Sequence, residues 1–117
     1  MDSDNKPTKI SDLLFTAAKK WPEHPAISFR GRTQNWLETK NRCHAAATIL
    51  QRAGVKPGDR IAFLGLNSNA CFESYYSPAI LGATMVPINY RLAVREMVEC
   101  VQDCTPTALI VDENYLI

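Results

Sequence analysis

This sequence is poor in cationic surplus, in long apolar runs and in glycine, and each shortage removes a class of function. Lys and Arg number 13 against 12 Asp and Glu, a formal charge of +1. That balance offers no basic excess of the kind that holds nucleic acid by counterion release. No apolar run approaches the roughly 20 residues of a membrane-spanning helix. The 5 glycines, at positions 31, 54, 58, 65 and 82, form neither G-x-G-x-x-G nor G-x-x-x-x-G-K-[ST], so no phosphate-cradling loop is written here. There is no Gly-x-Ser-x-Gly elbow and no Ser, His and acid arrangement that suggests a triad. The 4 cysteines are few for a disulfide scaffold, and none stands in a C-x-x-C pair. The opening Met1-Asp2-Ser3-Asp4-Asn5-Lys6-Pro7 lacks the apolar core of a signal peptide. The expectation is a cytoplasmic chain in which Cys43, Cys71, Cys100 and Cys104 are free thiols.

What is present is an ordinary globular composition. Apolar residues make up 46% and charged residues 21%, which excludes intrinsic disorder as the ground state. A length of 117 residues suits one domain and one core. Residues 1–10 read as a polar, mobile tail. A helix is expected from Asp12 to Trp21, capped by Ser11, with Leu14, Ala17, Ala18 and Trp21 on one stripe. Residues 26–30 and 33–35 read as a hairpin turning at Gly31. Asn35 and Glu38 have capping-box spacing, opening a helix to about Ala53 that buries Cys43, Ala46, Ala47, Leu50 and Ala53, with Gly54 as its left-handed terminator.

From Lys56 onward the pattern changes. Lys56-Pro57-Gly58-Asp59 reads as a type II turn. Residues 60–65, 83–88 and 107–111 are apolar on both faces, as buried parallel strands are. Between them lie a helix to about Leu81, which Pro78 should kink, and a helix over 93–103 whose arc of Ala93, Val94, Met97, Val98, Cys100, Val101 and Cys104 should face the core. Strand, helix, strand, helix, strand implies an α/β layer with right-handed crossovers. No internal repeat is visible.

Few residues stand out for chemistry. The segment Gly65-Leu66-Asn67-Ser68-Asn69 joins a strand to a helix, where anions can bind, but it also reads as a plain loop with an Asn cap. Cys100 and Cys104 are one turn apart, yet a closed metal site needs four ligands, and His24 and His44 lie on other elements. The two cysteines share the apolar arc and are expected to be buried core thiols. His24 and His44 read as surface residues, Glu96 and Glu99 as a solvated helix face, and Asp112-Glu113 as the close of the last strand. Pattern alone supports a soluble α/β domain and no metal site.

The stretch Gly54-Val55-Lys56-Pro57-Gly58-Asp59-Arg60-Ile61-Ala62 resembles the N-terminal part of AMP-forming acyl-CoA synthetases, of the adenylate-forming superfamily. The resemblance continues in register through Asn35-Trp36-Leu37-Glu38 with Arg42, Leu66-Asn67-Ser68, Ala79-Ile80-Leu81-Gly82-Ala83 and Pro87-Ile88-Asn89-Tyr90-Arg91-Leu92. It spans Ser11 to Asp112. Leu66 departs from the family's usual Pro before Asn-Ser, and Pro78 interrupts a helix that is usually unbroken.

The resemblance implies a two-step reaction. A carboxylate, in the fatty-acid wording of Pro87–Leu92, attacks ATP with Mg²⁺ to give an acyl-adenylate, and the thiol of CoA then displaces AMP. It implies that residues 11–117 are a partial N-terminal domain of the adenylate-forming fold, with a parallel-sheet layer, flanking helices and an N-terminal hairpin. The family's phosphate loop and catalytic lysine have no counterpart in this stretch, so no catalytic residue is carried over. ATP, Mg²⁺ and CoA belong to the full-length family, and none is expected to be bound by this part alone. Asn89, Tyr90 and Arg91 are the candidates for a CoA-side turn, with the alternative that Asn89 holds the turn and Arg91 pairs with an acid. The expected partner is a complementing C-terminal ligase portion or a second copy. The alternative function is a non-catalytic interaction module, or half of a split ligase; an unrelated nucleotide-binding α/β domain is weakened by the missing phosphate loop.

Overall fold

A computed structural model describes residues 10–65 and 69–111. Residues 1–9 of the expected tail, the Leu66-Asn67-Ser68 turn and the acids Asp112 and Glu113 lie outside the described residues. Ile10 does not belong to the tail: it opens helix α1 (Ile10–Lys20), in which Ser11 is a buried helical residue rather than the cap. Leu14, Ala17 and Ala18 are buried as their spacing requires. Trp21 lies just past the helix end and is exposed, with the Lys20 ammonium over its ring.

The hairpin forms from β1 (Pro25–Phe29) and β2 (Arg32–Asn35), paired antiparallel with Phe29 opposite Arg32. Its two turn residues, Arg30 and Gly31, both have positive φ, at 52° and 77°. Two consecutive left-handed residues make the turn that matches strand twist, and Asn-Gly is the preferred pair. Arg30 occupies the first position without that advantage.

Helix α2 (Trp36–Arg52) starts with its donors satisfied. Trp36 N–H donates to the His24 carbonyl, Leu37 N–H to that of Pro22 and Glu38 N–H to Asn35 Oδ1, while Glu38 Oε1 accepts from Asn35 N–H. The helix ends on Ala53, followed by Gly54 at φ 100°; Gly54 N–H reaches the Gln51 carbonyl and Val55 N–H the Leu50 carbonyl. This is the Schellman pattern, and Val55 packs with Leu50 as that pattern favours. Thr39, Cys43, Ala47 and Leu50 form the buried stripe. Ala46 is only half-buried and Ala53 is exposed, because the chain turns away at Gly54.

Strand β3 (Arg60–Leu64) is central, with β4 (Thr84–Ile88) on one side and β5 (Ala108–Val111) on the other, both parallel to it. Helix α3 (Asn69–Ile80) connects β3 to β4 and runs on through Pro78, whose side chain is fully buried. The Ser77 hydroxyl donates to the Glu73 carbonyl and the Ser74 hydroxyl to that of Ala70. Pro78 has no N–H to give the Ser74 carbonyl, and the same Schellman closure follows, with Gly82 N–H on Ala79 and Ala83 N–H on Pro78. Gly82 is obligatory: its φ is 77°, and a Cβ there would sit 3.2 Å from Pro57 Cβ.

Helix α4 (Val94–Cys104) returns to the far side of β3. Its connection runs in the opposite sense to that of α3, so right-handed crossovers place the two helices on opposite faces. On one face, Ile61 with Ala108 and Ile110 packs against Leu50, Val55, Leu81 and Ala83. The register puts Leu64, Ile88 and Leu109 on the other, facing α4.

The end of α4 is held from a distance. It has no basic residue in its last turn, and Thr105 takes the left-handed conformation at φ 44°. Arg60 of β3 supplies the missing cation: its Nε donates to the Cys104 carbonyl and its Nη2 to Thr105 Oγ1 at 2.6 Å. A positive group at a helix C-terminus answers the free carbonyls and the dipole together.

Candidate functional site

Open parallel sheets bind ligands outside the carboxyl ends of their strands, where the strand order reverses. Here that crevice lies between β3 and β5. The segments 66–68 and 112–117, which follow these two strands in the sequence, lie outside the described residues. The described part of this end is the turn after β4.

In that turn Asn89 Oδ1 accepts from Arg91 N–H at 2.9 Å, and the Asn89 carbonyl accepts from Leu92 N–H at 3.2 Å. Asn89 thus builds the turn with both its side chain and its backbone, as Asn does in such loops. The Arg91 guanidinium lies 5.6 Å from the Tyr90 ring centroid, a cation–π contact, and Arg91 is exposed. The structure brings Asn89, Tyr90 and Arg91 together as one surface feature. Among the described residues no acid lies within ion-pair distance of Arg91.

A second polar feature lies between hairpin, α2 and α3. Glu73 of α3 is buried, and its carboxylate accepts from Arg42 Nε at 2.6 Å, Arg42 Nη2 at 3.1 Å and Gln34 Nε2 at 2.8 Å. Gln34 Nε2 also donates to Thr39 Oγ1, whose hydroxyl donates to the Asn35 carbonyl. The Glu73 bond raises the Arg42 pKa above its usual value, with burial working against it. The sequence singled out Arg42 only as part of a motif and passed over Glu73 and Gln34. Their pairing spans 31 and 39 residues, which no local pattern encodes.

Beside this network Ile27, Phe29, Arg30, Arg32, Thr33, Gln34, Glu38 and Arg42 line a groove of about 330 Å³. On the opposite side of the molecule a second groove of about 520 Å³ runs between α4 and the sheet, lined by Leu64, Ile88, Val94, Met97, Val98, Val101, Gln102 and Leu109. Its rim is apolar and open: Val94 is 75% exposed, Val98 48% and Leu109 47%. No residue of α4 is fully buried. The expectation of a core-facing arc is therefore corrected. The arc faces the sheet but is incompletely covered, and Cys100 and Cys104 are half-buried free thiols rather than buried ones.

Cys43 is the fully buried thiol. Burial is the main cause that pushes its pKa up to about 12, aided by the Glu73 charge and opposed by Arg42. A folded pKa above the unfolded value of about 8.5 adds stability below that value, and the gain is lost as pH rises toward the folded one. We expect the native chain to lose stability between about pH 9 and 12, measured as a falling urea midpoint, with Cys43→Ala flattening the fall. At neutral pH Cys43 should resist thiol reagents until unfolding, while the half-buried cysteines react earlier.

His24 and His44 are exposed, and His44 stacks on Phe15 with ring centroids 5.3 Å apart. Among the described residues no three His, Cys, Asp or Glu side chains come together as a metal would require. Among them, too, no helix is long and apolar enough to cross a membrane.

Comparison with known proteins adds what this geometry alone does not contain. The family described as AMP-binding enzyme matches residues 14–116. A fatty acid–[acyl-carrier-protein] ligase, ScoC of Streptomyces coeruleorubidus, is 32% identical over 108 residues, covering 92% of this chain and 21% of the relative. A feruloyl-CoA synthase of an Amycolatopsis species is 36% identical over 93 residues, covering 80% of this chain and 19% of that protein. Among solved structures, the inhibitor-bound N-terminal domain of FACL13 from Mycobacterium tuberculosis superimposes with a TM-score of 0.84 at 28% identity, over 88% of this chain and 26% of that one. The chain spans about a fifth of the length of the curated relatives it matches.

Proposed function

Because the chain belongs to the AMP-binding enzyme family, we propose that it supplies the N-terminal portion of an ATP-dependent, AMP-forming acyl-CoA ligase. The observation that carries this reading is the match over residues 14–116, together with the likeness to the N-terminal domain of FACL13. In the reaction proposed, a carboxylate oxygen attacks the α-phosphorus of ATP, pyrophosphate leaves, and the thiol of CoA then takes the acyl group and releases AMP. A fatty acid is the favoured substrate and the cytoplasm the favoured compartment, with fatty acid metabolism as the setting. The fatty-acid ligase relative and the Pro87–Leu92 wording support the substrate.

ATP and Mg²⁺ are assigned to the remainder of the ligase, and this portion alone is proposed to be inactive. Charge neutralisation and positioning do most of the work in phosphoryl chemistry, and the sequence has no phosphate loop to provide them. The turn at Asn89, Tyr90 and Arg91 is kept as the CoA-side contact. Since Asn89 Oδ1 is engaged within the turn, Tyr90 and the exposed Arg91 are the groups left to meet a ligand.

The test is carboxylate-dependent ATP–pyrophosphate exchange across a panel of fatty acids. The pure 117-residue chain should stay at background, and the same chain joined to the coding sequence that continues it should exchange. Robust exchange by the short chain overturns the reading. A second reading, a non-catalytic module or half of a split ligase that needs a complementing chain, is favoured by one observation: the open apolar groove along α4.

A further inference from the structure

We propose that the groove between the hairpin and α2 is a binding site for a small phosphate monoester, separate from the carboxyl ends of the parallel strands. Three arginines, Arg30, Arg32 and Arg42, line one space of about 330 Å³. That volume lies within the range of small-ligand sites and exceeds what a lone inorganic anion fills. Arg42 is already neutralised by Glu73. Arg30 and Arg32 have no carboxylate of a described residue within ion-pair distance, and Glu38, which also lines the groove, is engaged through Oε1 with Asn35 N–H. Two unneutralised guanidiniums match a dianionic phosphate better than a single carboxylate, and their planar forks suit its oxygens.

The rest of the lining fits the organic part of such a ligand. Ile27 and Phe29 alternate with Ser28, so they share the hairpin face that carries Arg32 and Gln34 opposite them, while Ser28 and Thr33 bond each other on the other face. The groove thus sets the apolar Ile27 and Phe29 beside Arg30, Arg32 and Arg42, with the Glu38 carboxylate also on its lining. Arg30 stands 5.2 Å from the Phe29 ring, in a left-handed turn position that sterics would give to Asn or Gly. A guanidinium is placed there against the local conformational preference.

That conflict supplies a clean variant. Arg30→Gly removes the guanidinium and relieves the backbone, so the melting temperature should hold or rise. Binding of phenyl phosphate, followed at constant ionic strength by amide chemical shifts of the 117-residue chain carrying Val98→Lys and Leu109→Lys to keep it from associating through the α4 groove, is expected to weaken about tenfold when Arg30→Gly or Arg32→Gln is added, the loss of one charge-assisted contact. Lys56→Gln, the same charge change at the turn before β3, should leave it unchanged. Inorganic phosphate should bind more weakly than phenyl phosphate, because it leaves Ile27 and Phe29 uncovered. The proposal is overturned if phenyl phosphate causes no saturable shifts in the hairpin, if Lys56→Gln weakens it equally, or if only an acidic peptide binds. Exchange activity of the joined ligase does not enter this readout, so the two readings fail separately.

Discussion

Replacing Arg42 by alanine should destabilise the fold by about 2–3 kcal/mol. The reason is what stays behind. Glu73 keeps a buried carboxylate, 9% exposed, with the Gln34 amide as its remaining side-chain donor, after losing two bonds from one guanidinium. Breaking a buried pair from one side typically costs about 3–5 kcal/mol. The Arg42 side chain is 53% exposed, so water can partly replace it, and the expected loss falls at or below the low end. Against a total stability of about 5–15 kcal/mol this is a large fraction. Urea unfolding of Arg42→Ala, Glu73→Ala and the double variant closes a cycle, in which groups in contact should show a coupling of about 1–3 kcal/mol. Additive losses would mean that the pair does not act as a unit. The effect should appear as a weakened join between α2 and α3, because Cys43 and Ser77 both donate to the Glu73 carbonyl beside the same pair.

The local parts of this architecture could be read in the sequence because each is decided by residues a few positions apart. Asn35 and Glu38 cap α2, Gly54 ends it, and Pro57-Gly58 makes the turn into β3, with Gly58 at φ 87° and Asp59 N–H on the Lys56 carbonyl. The order of such segments along the chain is also what made the family legible. The Glu73–Arg42 pair and the Arg60 clamp on Thr105 could not be read, since their partners are 31 and 45 residues apart and meet only once the layers have packed. Trp21 departs from the expected stripe for a related reason. Its spacing continues the α1 stripe, but the helix stops at Lys20 and the stripe with it. Periodicity identifies which face of α4 is apolar; it carries no information about what covers that face.

That uncovered face leads to the second large effect. At rising concentration the isolated chain should scatter more light and bind a dye for exposed apolar surface, both of which a pair of charges on the groove should suppress. Strands of parallel sheets are buried on both faces, and these are apolar on both sides. One face is closed by Leu50, Val55 and the residues packed with them. Among the described residues the other has α4 alone, over a groove of about 520 Å³ whose rim residues Val94, Val98 and Leu109 are largely open to water. Leu109 also lies on β5, an edge strand of the three-stranded sheet, which offers unpaired backbone groups to a neighbour. Apolar patches beyond a few hundred Å² are uncommon on soluble monomers and mark surfaces that are covered in the working assembly. Val98→Lys with Leu109→Lys places charge on both walls at positions already near half exposure, so the fold should survive while association and dye binding fall together. Thermal melting of the two forms separates loss of association from loss of structure. A wild-type chain that is a compact monomer with negligible dye binding and a cooperative melt would show that α4 closes the groove unaided. The balance would then move from a portion awaiting the rest of its ligase to a module that stands on its own.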